Sequence, residues 1–407
     1  MKKLTHWFLF WLLLFLPTQF GLHFWPAAAL IFGRRTDYLS PTIYMFDLLF
    51  MAFTTVTLIN FRPQTHISQK YKAGALLLLI SLVTLWGHHW SISGVYFVLR
   101  FWQAAILIWL IKIIKPKLKH ILPPLLFGAI FVSLLATGQF LKQASIGGAF
   151  YFLGERKITV STPGVAQIVA SGRLLLRPYA TFSHPNVLGG YLTLVLAVLL
   201  FAPKTKLIKA KPLDYLFKNL ALAAVILGIW LSFGRVAWLA SFGLLLVRAW
   251  QYQKSTGQIL LSIFLVAVVY EELLLGRFVT NLLLYPEALT ERLELIKNAG
   301  TIFMQAPATG VGLGNFIPKL AELNLSYANL QPVHSIYLLW LTETGVIGTG
   351  LVFYYLMKLY RHGLSQKTKV LLGVLVSGLV LGLFDHYLIT QPQTRHLWLI
   401  MLAALSV

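Results

Sequence analysis

The chain has 407 residues, 58% of them hydrophobic and only 11% charged, a balance that excludes a soluble globular domain. Its 34 Lys and Arg against 12 Asp and Glu give a formal charge of +22, yet the basic residues fall in short clusters between apolar runs, which argues against nucleic acid as a partner. There is no cysteine, so a disulfide framework, a thiol nucleophile and a zinc ribbon are excluded as well.

The N-terminal MKKLTHWFLFWLLLFLP has the basic start and apolar core of a signal peptide. Phe24, Trp25 and Pro26 fit a cleavage site poorly, so the segment reads as an uncleaved first helix. Apolar runs of about 16 to 22 residues then recur, each long enough for a helix to cross ~30 Å of hydrocarbon. The predicted spans, about 12 in all by hydropathy and loop charge, are 5–23, 41–60, 73–88, 95–112, 121–141, 187–202, 217–231, 235–250, 257–270, 334–357, 369–384 and 395–407. The runs are continuous rather than alternating, which predicts an all-α polytopic membrane protein and not a β-barrel.

Basic clusters occupy every second loop: Lys2 and Lys3; Arg62, Lys70 and Lys72; Lys112 to Lys119; Lys204 to Lys218; Arg248 and Lys254; Lys358 to Lys369. That alternation places these loops and both termini in the cytoplasm, facing anionic membrane lipid. The chain then divides into N-terminal helices (1–141), an extracytoplasmic loop (142–186), central helices (187–270), a large extracytoplasmic helical loop (271–333) and C-terminal helices (334–407). The two loops hold Glu155, Glu271, Glu272, Glu287, Glu291, Glu294 and Glu322, more than half of the acids. Within the second, residues 288–305 carry apolar positions at helical spacing and Pro307 follows where a helix stops. TGVGLGNF, residues 309–316, reads as an outward glycine turn into a short helix. Long structured loops are more often functional than spacer.

The arginines predicted to face outward are informative because the charge bias depletes that side. Arg173 and Arg177 lie in GRLLLRPYATFSHPN, Arg235 in the tight turn SFGRVAW, and Arg292 in the loop helix. The planar donor fork of arginine suits phosphate or pyrophosphate, although any one of them also suits a lipid headgroup. In FSHPN, His184 is a ligand contact or an interfacial ring, and Asn186 reads as the cap of the next helix. His334, in QPVHSIYLLWLTETG, opens a span on the same face as the arginines. Glu343 lies nine positions on, about half a turn off that face, and reads as a structural acid partnered by Arg100 or Asp47. The adjacent His88 and His89 read as interfacial. No GxxxxGK[ST], HExxH or D-x-D motif is present, so neither nucleotide nor metal is expected.

Four pieces in order, RPYATFSHPNVLGGYL, SFGRVAWLA, ERLELIKNAG with APATGVGLGNF, and VHSIYLLWLTETGVIG, resemble the O-antigen ligase and O-antigen polymerase superfamily, which includes bacterial protein O-oligosaccharyltransferases. The resemblance spans residues 170–350. It implies a membrane-embedded, GT-C-like glycosyltransferase of the bacterial cytoplasmic (inner) membrane, moving a glycan from undecaprenyl diphosphate to an acceptor hydroxyl on the outer face. Neither metal nor cofactor is implied. The arginines matching the family are Arg177, Arg235 and Arg292, toward the diphosphate, and the histidine matching its leading catalytic residue is His334. Ala180 stands where glycine is usual, and Ser335 where asparagine often follows the histidine. The acceptor, whether glycan, lipid or protein, is open. A lipid-linked oligosaccharide flippase is the rival from another class, disfavoured because carriers keep their outer loops short.

Overall fold

The computed structural model describes residues 2–61, 68–170, 173–202, 211–252, 287–323, 330–362 and 368–405. The predicted span 257–270, residues 271–286 of the large loop and most of the basic stretch after residue 202 lie outside the described residues. The described chain is mostly helical: α1 (Lys2–Leu14), α2 (Met45–Asn60), α3 (Ser68–Gly87), α4 (Ile92–Ile114), α5 (Leu118–Lys142), α6 (Pro185–Phe201), α7 (Lys211–Leu231), α8 (Arg235–Tyr252), α9 (Glu287–Gln305), α10 (Phe316–Ala321), α11 (Ile336–His362), α12 (Thr368–Phe384), α13 (Tyr387–Thr390) and α14 (Pro392–Leu405).

Four of these elements contain stretches long and apolar enough to cross a membrane: Ile92–Ile114, Leu118–Lys142, Leu213–Leu231 and Ile336–Tyr354. Shorter apolar helices, among them Met45–Asn60, Pro185–Phe201 and Lys369–Phe384, accompany them. The molecule is a helical membrane protein. The first predicted span, 5–23, is shorter as a helix. After Leu14 the chain turns, Pro17 prevents its continuation, and Gly21–His23 (β1) pairs antiparallel with Thr42–Tyr44 (β4). Between them Leu30–Ile31 (β2) and Arg34–Arg35 (β3) form a second small hairpin.

Helix α6 is the hub. Its sequence is apolar all round, and Val187, Leu188, Tyr191, Leu192, Leu194, Val195 and Leu196 are all buried. Helices α7, α8, α12 and α14 pack around it, with α5 against α7 and α1 against α2 and α5. Gly190 allows one close approach: a Cβ there would fall 2.3 Å from the Tyr387 hydroxyl, so α13 rests directly on the α6 backbone.

The loops gather at one end of the bundle. There the segment 20–44, the helix α9 and the residues leading into α11 share a second core of Ala29, Ile31, Leu39, Leu295, Ile302, Phe316, Val333 and Leu339. A third strand pair, Gln167–Ala170 (β5) with Arg173–Leu176 (β6), projects from the first loop.

Helix α11 is broken. Gly345 has φ 64° and ψ −172°, outside helical geometry, and the segment 307–312 docks into the gap. Val311 and Gly312 donate N–H groups to the Thr342 and Glu343 carbonyls at 3.0 and 2.9 Å. Val346 and Ile347 in turn donate to the Pro307 and Ala308 carbonyls at 2.9 and 3.1 Å. The backbone groups orphaned by the break are therefore satisfied by another segment, the condition for a discontinuous helix within an apolar bundle. TGVGLGNF is accordingly a docked turn rather than one that simply faces outward. Thr84 Oγ1 accepts the Leu313 N–H, and His88 pairs with the Leu313 carbonyl at 2.8 Å. His88 is thus buried and structural, not interfacial as expected.

Candidate functional site

The site is built where the ends of α6, α7, α11 and α12 meet. Residues 177–186 are held from beneath by Gln139 of α5. Its Oε1 accepts the Tyr179 and Ala180 N–H groups at 3.0 and 2.7 Å, and its Nε2 donates to Ala180 O and to Glu155. Ala180 has φ 48°, a left-handed conformation that glycine adopts more easily, which is a physical reason for glycine in the pattern this segment resembles.

His184, not Asn186, caps α6: its Nδ1 accepts the Asn186 N–H at 3.1 Å. Burial first, then the nearby Arg177 charge, push the imidazole down to about 3, so the ring is neutral and can accept that bond. Asn186, read from sequence as the cap, uses its side chain as a bridge. Its Oδ1 accepts Arg177 Nη2 at 2.7 Å and its Nδ2 donates to Asp385 Oδ2 at 3.2 Å. Arg177 also donates through Nε and Nη2 to the Ser232 carbonyl at 3.1 and 2.9 Å, tying the α7–α8 turn into the network.

Asp385 follows α12 directly and is buried. Its Oδ1 accepts the His386 N–H at 2.8 Å and lies 3.9 Å from both His334 Nδ1 and His386 Nε2. Burial alone would raise this carboxyl, but the two histidines and the backbone donor outweigh it and hold it below the ordinary carboxylate range. Burial keeps His386 neutral, pushed down to about 4 against the opposing pull of Asp385. His386 Nδ1 pairs with Thr390 Oγ1 at 2.8 Å, and Tyr38 of the N-terminal cap packs edge-on against the ring.

His334 is positioned by its neighbours. Val333 is fully buried in the second core, and the Ser335 carbonyl accepts the Leu339 N–H at 3.0 Å, so the histidine stands at the mouth of α11. Its side chain is 22% exposed, and Nδ1 is buried with no hydrogen-bond partner. His334, Asp385 and His386 each present a donor atom, all within 4.8 Å of one another, and form the described group able to hold a metal ion.

Of the predicted site residues, the structure brings Arg177, His184 and His334 into this one network with Asp385. Arg235, exposed at the first turn of α8, lies three residues past Ser232 and within electrostatic reach of Arg292, exposed on α9. Arg173 opens β6 at the tip of its hairpin, about 13 Å of extended strand from Arg177. Glu343 takes backbone N–H groups of Gly314 and Phe316. Its expected partners Arg100 and Asp47 instead pair with each other.

Asp385 and His386 were missed in the sequence. An acid at the end of the apolar run GVLVSGLVLGLFDH is the signal that could have found them, since an ionisable group at a span mouth seldom lacks a role. Compared with known families, residues 220–354 match the O-antigen ligase family. That stretch includes Arg235, Arg292 and His334. No curated protein sequence gives a match.

Proposed function

We propose that this chain, a member of the O-antigen ligase superfamily, moves an oligosaccharide from undecaprenyl diphosphate to an acceptor hydroxyl at the extracytoplasmic face of the bacterial cytoplasmic membrane. It does so within a GT-C-like bundle of about 12 spans, the loop-rich end facing outward. One observation carries the reading: His334 stands beside the buried Asp385, which is linked through Asn186 to Arg177.

In this mechanism the acceptor oxygen forms its bond to the anomeric carbon as the bond to the diphosphate oxygen breaks, inverting that centre. The acceptor proton passes to His334 Nε2. Asp385, on the Nδ1 side, selects the tautomer with its proton on Nδ1 and stabilises the imidazolium. The 3.9 Å contact closes to a hydrogen bond when substrate binds, as catalytic contacts in unliganded sites do. Charge developing on the departing diphosphate is met by Arg177, Arg235 and Arg292, a fixed cationic arrangement that stands in for a metal ion. His184 acts by holding α6 and hence Asn186 in place. Arg173 contributes to the cationic, anion-binding surface further out along the loop.

The test is transfer in proteoliposomes containing the lipid-linked donor. His334→Ala should lower the rate by about 10²- to 10⁴-fold, the range for a lost general base, with donor binding retained. Full transfer by that variant would end the reading. A transporter would instead show donor flux without new glycosidic bonds.

A further inference from the structure

The three donor atoms at the mouth of α11 are spaced too far apart for hydrogen bonds with one another, yet all lie within 4.8 Å of one another. His334 Nδ1 and His386 Nε2 each lie 3.9 Å from Asp385 Oδ1, and the two imidazole centroids are 5.6 Å apart. A tetrahedral ion with bonds of about 2.0 to 2.1 Å separates its ligands by about 3.3 Å, so each 3.9 Å separation from Asp385 would close by roughly half an ångström and the two imidazole nitrogens, within 4.8 Å of each other, by up to about 1.5 Å.

The surroundings are those of ligands already oriented. His386 Nδ1 is paired with Thr390 Oγ1 at 2.8 Å; with the ring proton directed there, the lone pair lies on Nε2. Asp385 is held by the Asn186 amide through Oδ2 and by the His386 backbone N–H through Oδ1. His334 Nδ1 is a buried nitrogen with no partner, an arrangement that a ligand bond would satisfy. The partial exposure of His334 supplies an entry path, and no fourth protein ligand is needed, since solvent completes three-ligand sites. Two imidazoles and one carboxylate select zinc and its late first-row neighbours over magnesium or calcium.

We propose that His334, Asp385 and His386 bind one zinc-class divalent ion, and that the bound ion blocks glycan transfer. The blocking half rests on the function proposed above; the binding half does not. The reason is tautomeric. A metal on Nδ1 confines the His334 proton to Nε2, the atom required to receive the acceptor proton, and occupies the carboxylate that would stabilise the imidazolium.

The experiment uses the full chain in nanodiscs, stripped with chelator, dialysed against Zn²⁺ and analysed for bound metal. The expected result is one Zn²⁺ per chain, undisturbed by a large excess of Mg²⁺. His386→Gln should weaken binding by at least about tenfold, and Thr390→Val, which leaves all three ligands in place and removes the hydroxyl that pairs with the ring and with the His386 carbonyl, should weaken it by less. Co²⁺ in place of Zn²⁺ reports the geometry without any substitution, through the strong visible bands of a four-coordinate site. Absence of saturable Zn²⁺ binding, or binding unchanged in His386→Gln and Thr390→Val, would overturn the site while leaving the transferase reading intact. Transfer assayed alongside should be inhibited by Zn²⁺ and restored by chelator. Activity lost on chelation and restored by Zn²⁺ would instead overturn the inhibitory role and the arginine-based mechanism, leaving the binding site established.

Discussion

Asp385 gathers two hydrogen-bond donors, the Asn186 amide and the His386 N–H, and two neighbouring imidazoles around one buried carboxylate, so its charge is the quantity to remove. Asp385→Asn preserves size and one acceptor oxygen but cannot stabilise an imidazolium. Transfer should fall about 10²-fold or more in kcat, with KM for the donor little changed, because the group acts when charge develops rather than when substrate binds. Asn186→Ala removes the bridge and leaves Asp385 in place. A lost charge-assisted hydrogen bond is worth about 1.5 to 3 kcal/mol, which sets an expected decrease of about ten- to a hundredfold. Steady-state kinetics of both variants in proteoliposomes would check the order; Asn186→Ala more damaging than Asp385→Asn would contradict the assignment.

His184 and His386 are both kept neutral by burial, at about 3 and about 4 against an ordinary 6.5. In the unfolded chain they bind protons below about pH 6.5, whereas in the folded chain they do not until far lower. The unfolded state therefore binds more protons across that interval, and the stability present above pH 6.5 is lost as pH falls toward 4. His184→Asn retains a good helix cap and removes one titrating ring. Thermal melts in detergent from pH 7 to 5 should show the variant losing less stability than the parent chain. Around FSHPN the burial that dominates was not legible, because packing leaves no local mark, and the link from Asn186 to Asp385 joins residues 199 positions apart; only the Arg177 charge lies close in sequence.

At the scale of elements, the broken helix α11 joins the two parts of the site. Its first half starts two residues after His334, and the segment docked in its gap follows closely on α9, which carries Arg292. Gly345 is required twice over: its φ is positive, and a Cβ would lie 2.3 Å from the Ala308 carbonyl oxygen. Gly345→Ala should cost roughly 2 to 3 kcal/mol or more and lower the melting temperature by several degrees. Gly350, in the same helix, has open space around it, so Gly350→Ala is the control expected to leave the melting temperature unchanged or slightly raised. Equal melting of the two variants would remove the break as a structural necessity. The apolar run 334–357 and the glycine turn 309–316 are both visible in sequence as separate features. Their docking is not, because it is made by backbone groups, which leave no pattern in side-chain type.

For the molecule as a whole, hydrophobic runs made the helices readable: a described helix overlaps every predicted span except 257–270, which lies outside the described residues. The small hairpins at 21–44 were not readable, since strands of two or three residues carry no period. Orientation rests on loop charge and can be tested directly. Helix α5, 25 residues long, spans about 37 Å and separates the basic turn at Lys117 from the first long loop after Lys142. Because the chain has no cysteine, a single introduced thiol is a unique reporter. Lys117 and Lys297 are exposed, the first in the basic turn and the second on the loop helix α9. In intact cells a membrane-impermeant maleimide should label Lys297→Cys, and should label Lys117→Cys only after permeabilisation. The basic turns would then face anionic cytoplasmic lipid, and His334 would meet donor glycan after its passage across the membrane. The opposite labelling would place the arginines and His334 in the cytoplasm, where a translocated donor could not reach them, and the transferase reading would fall with the orientation.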